Sequence, residues 1–181
     1  IKSGPTIPQS FDAVMMADDD NADMGDGTPN GCAIIDAFSR HGLGPGGDRG
    51  ALVVLNHDPI SSQPPEQDIV LTVEGVNMAP ECVEASMESG EIVYSTNGGE
   101  SWTSVELSGD ISSLEGVLPA QSDGTVVSYY FTLNTDGAGT STAPSGGYIN
   151  PYTFVVGELQ QLYCLVLQKI IKALYSFCVT T

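Results

Sequence analysis

The sequence predicts a mainly β protein: an antiparallel β-sandwich, preceded by a short two-helix segment and followed by an apolar C-terminal tail with helical spacing. Three observations carry this reading. Apolar residues recur at helical spacing before residue 50 and alternate strictly after residue 68. Turn formers are abundant, with 21 glycines and 11 prolines, while charged residues make up only 15%, too few for long solvated helices. Short β-prone runs then follow one another at the spacing of a sandwich.

In chain order, Phe11, Val14 and Met15 lie at i, i+3 and i+4, with Ser10 placed to cap a short helix. The polar, glycine-containing run 18–27 is a loop. Thr28-Pro29 supplies an N-cap hydroxyl and a first-turn proline for a second helix. Ile34, Ile35, Ala37 and Phe38 form its buried stripe, and Gly42 stops it after His41. The run 51–55 is apolar and β-prone, and 58–67 holds three prolines among polar residues. The domain reading is therefore 1–50 as the end of an incomplete domain, 51–67 as a connector, and 68–157 as the sandwich.

Within that sandwich, Ile69, Leu71 and Val73 alternate with Val70, Thr72 and Glu74, as a half-buried strand requires. Further strands are expected at 82–87, 91–95, 102–107, 114–118, 126–134 and 152–156. Asn97-Gly98-Gly99 is the clearest hairpin turn, because asparagine and glycine accept positive φ angles. The tail 158–181 has no glycine or proline, no acidic residue after Glu158, and two of the five basic residues. Gln161, Cys164, Gln168, Lys172 and Ser176 fall at spacings of three or four, compatible with a helix, whereas Gln168, Lys169 and Lys172 argue against a membrane span. We read the tail as not native to the sandwich, with a shifted reading frame as a candidate origin.

Charge restricts the function classes. Five basic against 23 acidic residues leave a net charge of −18, a field that repels nucleic acid and anionic lipid. Few lysines on an acidic surface suit a secreted protein that meets calcium or salt outside the cell. The chain opens at Ile1 without a basic or apolar leader, so any export signal is expected upstream. Cys32, Cys82, Cys164 and Cys178 form no Cys-x-x-Cys pair; three full disulfide connectivities and free thiols all stay open.

The segment 10–44, with its Phe-Asp-Ala-Val-Met-Met-Ala-Asp start and its Cys32-Ala33-Ile34-Ile35-Asp36-Ala37-Phe38-Ser39-Arg40-His41-Gly42 helix, resembles the last helices of thermolysin-like and fungalysin-like metallopeptidase domains. Such enzymes hold zinc through a His-Glu-x-x-His helix and a further glutamate. His41 is followed by Gly42 and His57 by Asp58, so no catalytic residue can be carried over, and zinc is expected only in an upstream part. The segment 68–157, with Tyr94-Ser95-Thr96-Asn97-Gly98-Gly99-Glu100-Ser101-Trp102 and Gly124-Thr125-Val126-Val127-Ser128-Tyr129-Tyr130-Phe131, is similar to the immunoglobulin or fibronectin type III-like modules appended to such hydrolases. The resemblance implies a noncatalytic accessory region of a secreted zinc metallopeptidase, used for spacing, fold support or substrate attachment. The alternative is an independent extracellular module that binds carbohydrate or a cell surface.

Asp19, Asn21 and Asp23 stand at alternate positions, as in the first half of a calcium loop, but Met24 and Asn30 occupy the places that need glycine and glutamate. A calcium site and a solvated capping loop both remain open. Ser95-x-Asn97-x-Gly99-x-Ser101-Trp102 is similar to the hairpin motif of sialidase-type propellers, but it occurs once where a propeller needs several blades. An ordinary hairpin with Trp102 packed into the sandwich is expected. Trp102, Tyr129 and Tyr148 would make a sugar-stacking platform only if exposed. His41 is explained by the helix dipole and His57 by a turn. No nucleotide-binding glycine loop and no serine-hydrolase elbow occurs.

Overall fold

The computed structural model describes residues 7–22, 28–44 and 51–157. Among them are helices α1 (Ile7–Asp18) and α2 (Gly31–Ser39), then nine strands: β1 (Val53–Asn56), β2 (Ile69–Asn77), β3 (Ser86–Ser95), β4 (Thr103–Glu106), β5 (Ser108–Asp110), β6 (Ser113–Leu118), β7 (Val126–Asp136), β8 (Gly139–Ala143) and β9 (Tyr152–Val155). The first sheet runs β1-β2-β6-β5 and the second β4-β3-β7-β8, with β9 also paired to β7. All these pairings are antiparallel. This distribution of strands between the sheets is that of an immunoglobulin-type β-sandwich.

Alternation builds the core. Ile69, Leu71 and Val73 on β2, Leu114 and Leu118 on β6, Ile92 on β3, and Val127, Tyr129, Phe131 and Leu133 on β7 are all buried. Each such side chain removed from water contributes about 1.5–3 kcal/mol. Gly116 on β6 faces β3 closely: an ideal Cβ there would lie 2.6 Å from Ile92 Cδ1, so any larger residue would force the Ile92 side chain to shift.

Several elements differ from the sequence reading. The stretch 51–67, expected as a connector with a β-prone run at 51–55, supplies β1, in register with β2 from Val53↔Asn77 to Asn56↔Glu74. The chain then crosses to the second sheet, where Gln63 makes a parallel bridge to Val156. The runs 82–87 and 91–95, expected as two strands, become the single β3 with an irregularity between Met87 and Ser89, and Cys82 lies before it in a turn. Strands β5 and β8 were not expected; their sequences, Ser-Gly-Asp and Gly-Thr-Ser-Thr-Ala, carry no large apolar residue and depend on neighbours for pairing. β8 and β9 pair with successive halves of β7. Between them the chain loops out through a cis Ala143–Pro144 peptide and a 3-10 turn at Gly147–Ile149.

Helix α1 begins by Ile7, so Ser10 lies inside it rather than capping it. Helix α2 begins at Gly31, after a turn closed by the Gly31 N–H on the Thr28 carbonyl (3.1 Å). Asn30 holds the N-cap position without a side-chain cap bond, because its amide donates to Asp18 Oδ1 (2.7 Å). Gly42 ends α2 as expected, with φ of 67° and the Leu43 N–H returned to Phe38 O (3.0 Å). The helices meet through an edge-on Phe11–Phe38 contact, ring centroids 5.5 Å apart. Ile35 joins the sandwich core cluster, and a Cys32–Cys82 disulfide ties α2 to the turn before β3. Cys164, Cys178 and the rest of the tail 158–181 lie outside the described residues.

Candidate functional site

The expected hairpin at Asn97 forms, and its side chains close a compact network. Ser95 Oγ donates to Asn97 Oδ1 (2.8 Å) and accepts the Gly99 N–H (2.9 Å). Asn97 Oδ1 also accepts the Ser101 N–H (3.0 Å), and Asn97 Nδ2 donates to Ser101 Oγ (2.8 Å). Gly98 and Gly99 turn the chain with φ of 72° and 90°. The serine-asparagine-glycine-serine spacing is thus a self-satisfied turn. Its consequence is positional: it delivers Trp102 immediately before β4.

Trp102 does not enter the core, contrary to expectation. It is half-buried and stands edge-on to Tyr130, ring centroids 5.4 Å apart. Both lie outside the core cluster. The register explains this. On β7, Tyr129 and Phe131 point inward, so Tyr130 faces outward beside its β3 partner Val93. Beyond β7, the looped-out segment between β8 and β9 folds against the same ring: an ideal Cβ on Gly147, at φ +53°, would lie 3.3 Å from Tyr130 Cδ2. That loop presents Tyr148 and Ile149, 65% and 75% exposed. Trp102 and Tyr130 therefore form an aromatic band on the outer face of the second sheet, with Tyr148 on the adjoining loop.

Polar groups share this outer face. Ser104 Oγ donates to Glu91 Oε1 (3.2 Å), Asn134 Nδ2 donates to Ser89 Oγ (3.0 Å), and Thr140 Oγ1 donates to Asn134 Oδ1 (2.6 Å). The Tyr130 hydroxyl is held above the usual tyrosine range, first by partial burial and then by the Glu91 carboxylate and Tyr148. It stays a neutral donor and acceptor at any physiological pH. Exposed ring surface flanked by hydroxyl, amide and carboxylate groups suits a ligand with both apolar C–H faces and many hydroxyls.

Tyr129, named with Trp102 and Tyr148 as a possible platform, is fully buried. Its hydroxyl meets His57 Nε2 at 2.8 Å, while His57 Nδ1 lies 2.6 Å from the Thr72 carbonyl. A carbonyl only accepts, so Nδ1 carries the proton and Nε2 accepts from Tyr129 in the neutral ring. His57 is thus not a simple turn residue: it also packs on Phe131 and Tyr152, with centroids 4.7 Å and 5.1 Å away. Burial pushes its pKa below 6.5 despite the Thr72 carbonyl and Asp58, and burial pushes Tyr129 up to about 12. An open cleft of about 540 Å³ adjoins this pair, lined by His57, Asp58, Thr72, Glu74 and Ser113 among others. Both ring nitrogens of His57 are engaged, which leaves no lone pair directed at the cleft.

The acidic loop is only partly in view. Asp19 Oδ1 accepts the Asn21 N–H at 3.5 Å, and Asp23 lies outside the described residues. Asp18 instead takes the Asn30 backbone N–H (2.6 Å) and side chain, bonds that hold its carboxyl below the usual range. Among the described residues, no group of three or more histidine, cysteine, aspartate or glutamate side chains is placed to hold a metal ion. His41 is exposed just beyond α2. Sequence reasoning missed Tyr130. The signal was present in the Tyr129-Tyr130 pair, since neighbours on a strand must face opposite ways.

No protein-family model matches the chain, and no curated protein sequence matches it. Among solved structures, it is similar to a cycloalternan-forming enzyme from Listeria monocytogenes in complex with a pentasaccharide substrate, at 14% identity and a TM-score of 0.39. The match covers 56% of this chain and 10% of that one. A likeness of that size carries no argument about function.

Proposed function

We propose that this chain is a noncatalytic accessory module that attaches a larger secreted protein to glycan through the outer face of its second sheet. The observation that carries this reading is the position of Trp102, which stands on Tyr130 outside the core. Tyr148 is 65% exposed on the adjoining loop. Aromatic rings left in water, held in place by a hydrogen-bonded hairpin, gain from covering by the C–H face of a sugar ring. The surrounding serine, threonine and asparagine groups match sugar hydroxyls. The direct test is calorimetric titration with a panel of soluble oligosaccharides, comparing the native chain with Trp102→Ala. A central aromatic anchor is worth about 2 kcal/mol, so the variant should bind roughly thirtyfold more weakly. Unchanged affinity in Trp102→Ala would refute the reading.

A second reading makes the chain the C-terminal region of a secreted zinc metallopeptidase. It is supported by the docking of the peptidase-like helix α2 on the sandwich, through Ile35 and the Cys32–Cys82 disulfide. Reading the gene upstream tests it. A His-Glu-x-x-His helix with a following glutamate within about 150 residues, one domain length, is expected; another kind of domain there would discard this reading while leaving glycan attachment intact.

A further inference from the structure

The aromatic band lies in an unusually one-signed field. Residues 51–157 contain fourteen aspartates and glutamates and no lysine or arginine. Its one histidine, His57, is engaged at both nitrogens and held toward its neutral form by burial. The salt bridge found among the described residues, Arg40–Asp36, lies in α2 and the residue after it. The sandwich carboxylates therefore have no lysine or arginine of their own region as counter-ions.

Two of them are set against each other beside the band. Glu91 on β3 and Glu106 on β4 are direct register partners. By alternation with the buried Ile92, Glu91 shares the outer face with Val93, the partner of Tyr130. Side chains directly opposed in an antiparallel pair stand about 5 Å apart at Cβ, and like charges there repel. A ligand that places a cation between them relieves this repulsion, and the faces of tryptophan and tyrosine rings attract cations as well.

Resting on the glycan reading above, we infer that the ligand is a cationic glycan: an oligomer or polymer of deacetylated amino sugar, whose ammonium groups meet Glu91 and Glu106 while its rings lie on Trp102 and Tyr130. A basic peptide would satisfy the carboxylates equally well. The hydroxyl and amide groups of Ser104, Asn134 and Thr140 on the same face instead match an extended ligand with hydroxyls on every residue, and favour the sugar.

The experiment is calorimetric titration of the full chain with a glucosamine oligomer, its N-acetylated counterpart of equal length, and oligolysine. The native chain and the Trp102→Ala and Glu91→Gln/Glu106→Gln variants are compared, with circular dichroism confirming that each variant is folded. The glucosamine oligomer should bind roughly tenfold more tightly than the acetylated one. That preference should shrink with added salt, and it should vanish in the isosteric double glutamine variant. Equal affinity for both sugars, lost in Trp102→Ala but unchanged in the glutamine variant, overturns the cationic ligand and leaves the glycan reading standing. Trp102-dependent binding of oligolysine without either sugar overturns both in favour of a basic peptide. Absence of binding by all three probes, in a chain that also fails with the wider oligosaccharide panel, overturns both readings.

Discussion

On β7 two tyrosines stand next to each other and meet opposite surroundings. Tyr129 is fully buried, hydrogen-bonded to His57 and ringed by Phe131, Tyr152 and Phe154. Tyr130 lies on the other side of the same strand, covered only in part by Trp102 and the Gly147 backbone. Identical chemistry thus serves as core on one face and as candidate binding surface on the other. Residue type says little about role at such positions. The pleat and the packing partner of each face say more.

The sharpest way to break this comparison is to truncate each face in turn and follow stability. Phe131→Ala on the inner face should cost about 3–5 kcal/mol, since it opens a cavity between two close-packed sheets, and should lower Tm by more than about 10 °C. Tyr129→Phe keeps the ring and removes the hydroxyl. It should cost about 1–2 kcal/mol in chemical denaturation, because His57 Nε2 loses its donor in a half-buried site. On the outer face, Trp102→Ala and Tyr130→Ala should each cost no more than about 1 kcal/mol while weakening ligand binding. If Trp102→Ala unfolds the chain as Phe131→Ala does, the outer face is structural and the distinction collapses.

The smallest expected effect concerns pH. The folded-state pKa of His57 lies below its unfolded value of 6.5, so between the two values the unfolded chain binds the extra proton. The stability associated with the neutral ring is fully present above about 6.5 and is lost as pH falls through the folded-state value. Thermal unfolding across this range should show the native chain losing stability on acidification by an amount absent in His57→Phe. Parallel pH profiles for the two proteins would show that His57 is not held neutral by its site.

How far these faces were legible beforehand differs from element to element. Strand β2 was evident because Ile69, Leu71 and Val73 alternate with polar neighbours and bury one face. The Asn97 hairpin was evident because few sequences accept consecutive positive φ angles. Strand β8 was not evident: Gly139–Ala143 carries no apolar rhythm, and its place comes from hydrogen bonds to β7 and from Ser141 Oγ reaching Val53 O of the first sheet (2.5 Å). His57 looked like a turn residue because its four aromatic and carbonyl neighbours come from residues 72, 129, 131 and 152. Trp102 looked like core because large aromatic rings usually are. Here the outer face beneath it receives no covering element among the described residues, only the loop through Gly147 and Tyr148.

Local rules were therefore enough for the periodicity, the hairpin, the helix stop at Gly42 and the acidic balance, since each depends on a few neighbouring residues or on composition alone. The burial of Tyr129, the exposure of Tyr130 and the pairing of Cys32 with Cys82 came from contacts between distant parts of the chain. Alternation states which side chains share a face. Which face is then covered depends on where the other sheet, the helices and the β8–β9 loop come to rest, and a spacing of two residues carries no information about that.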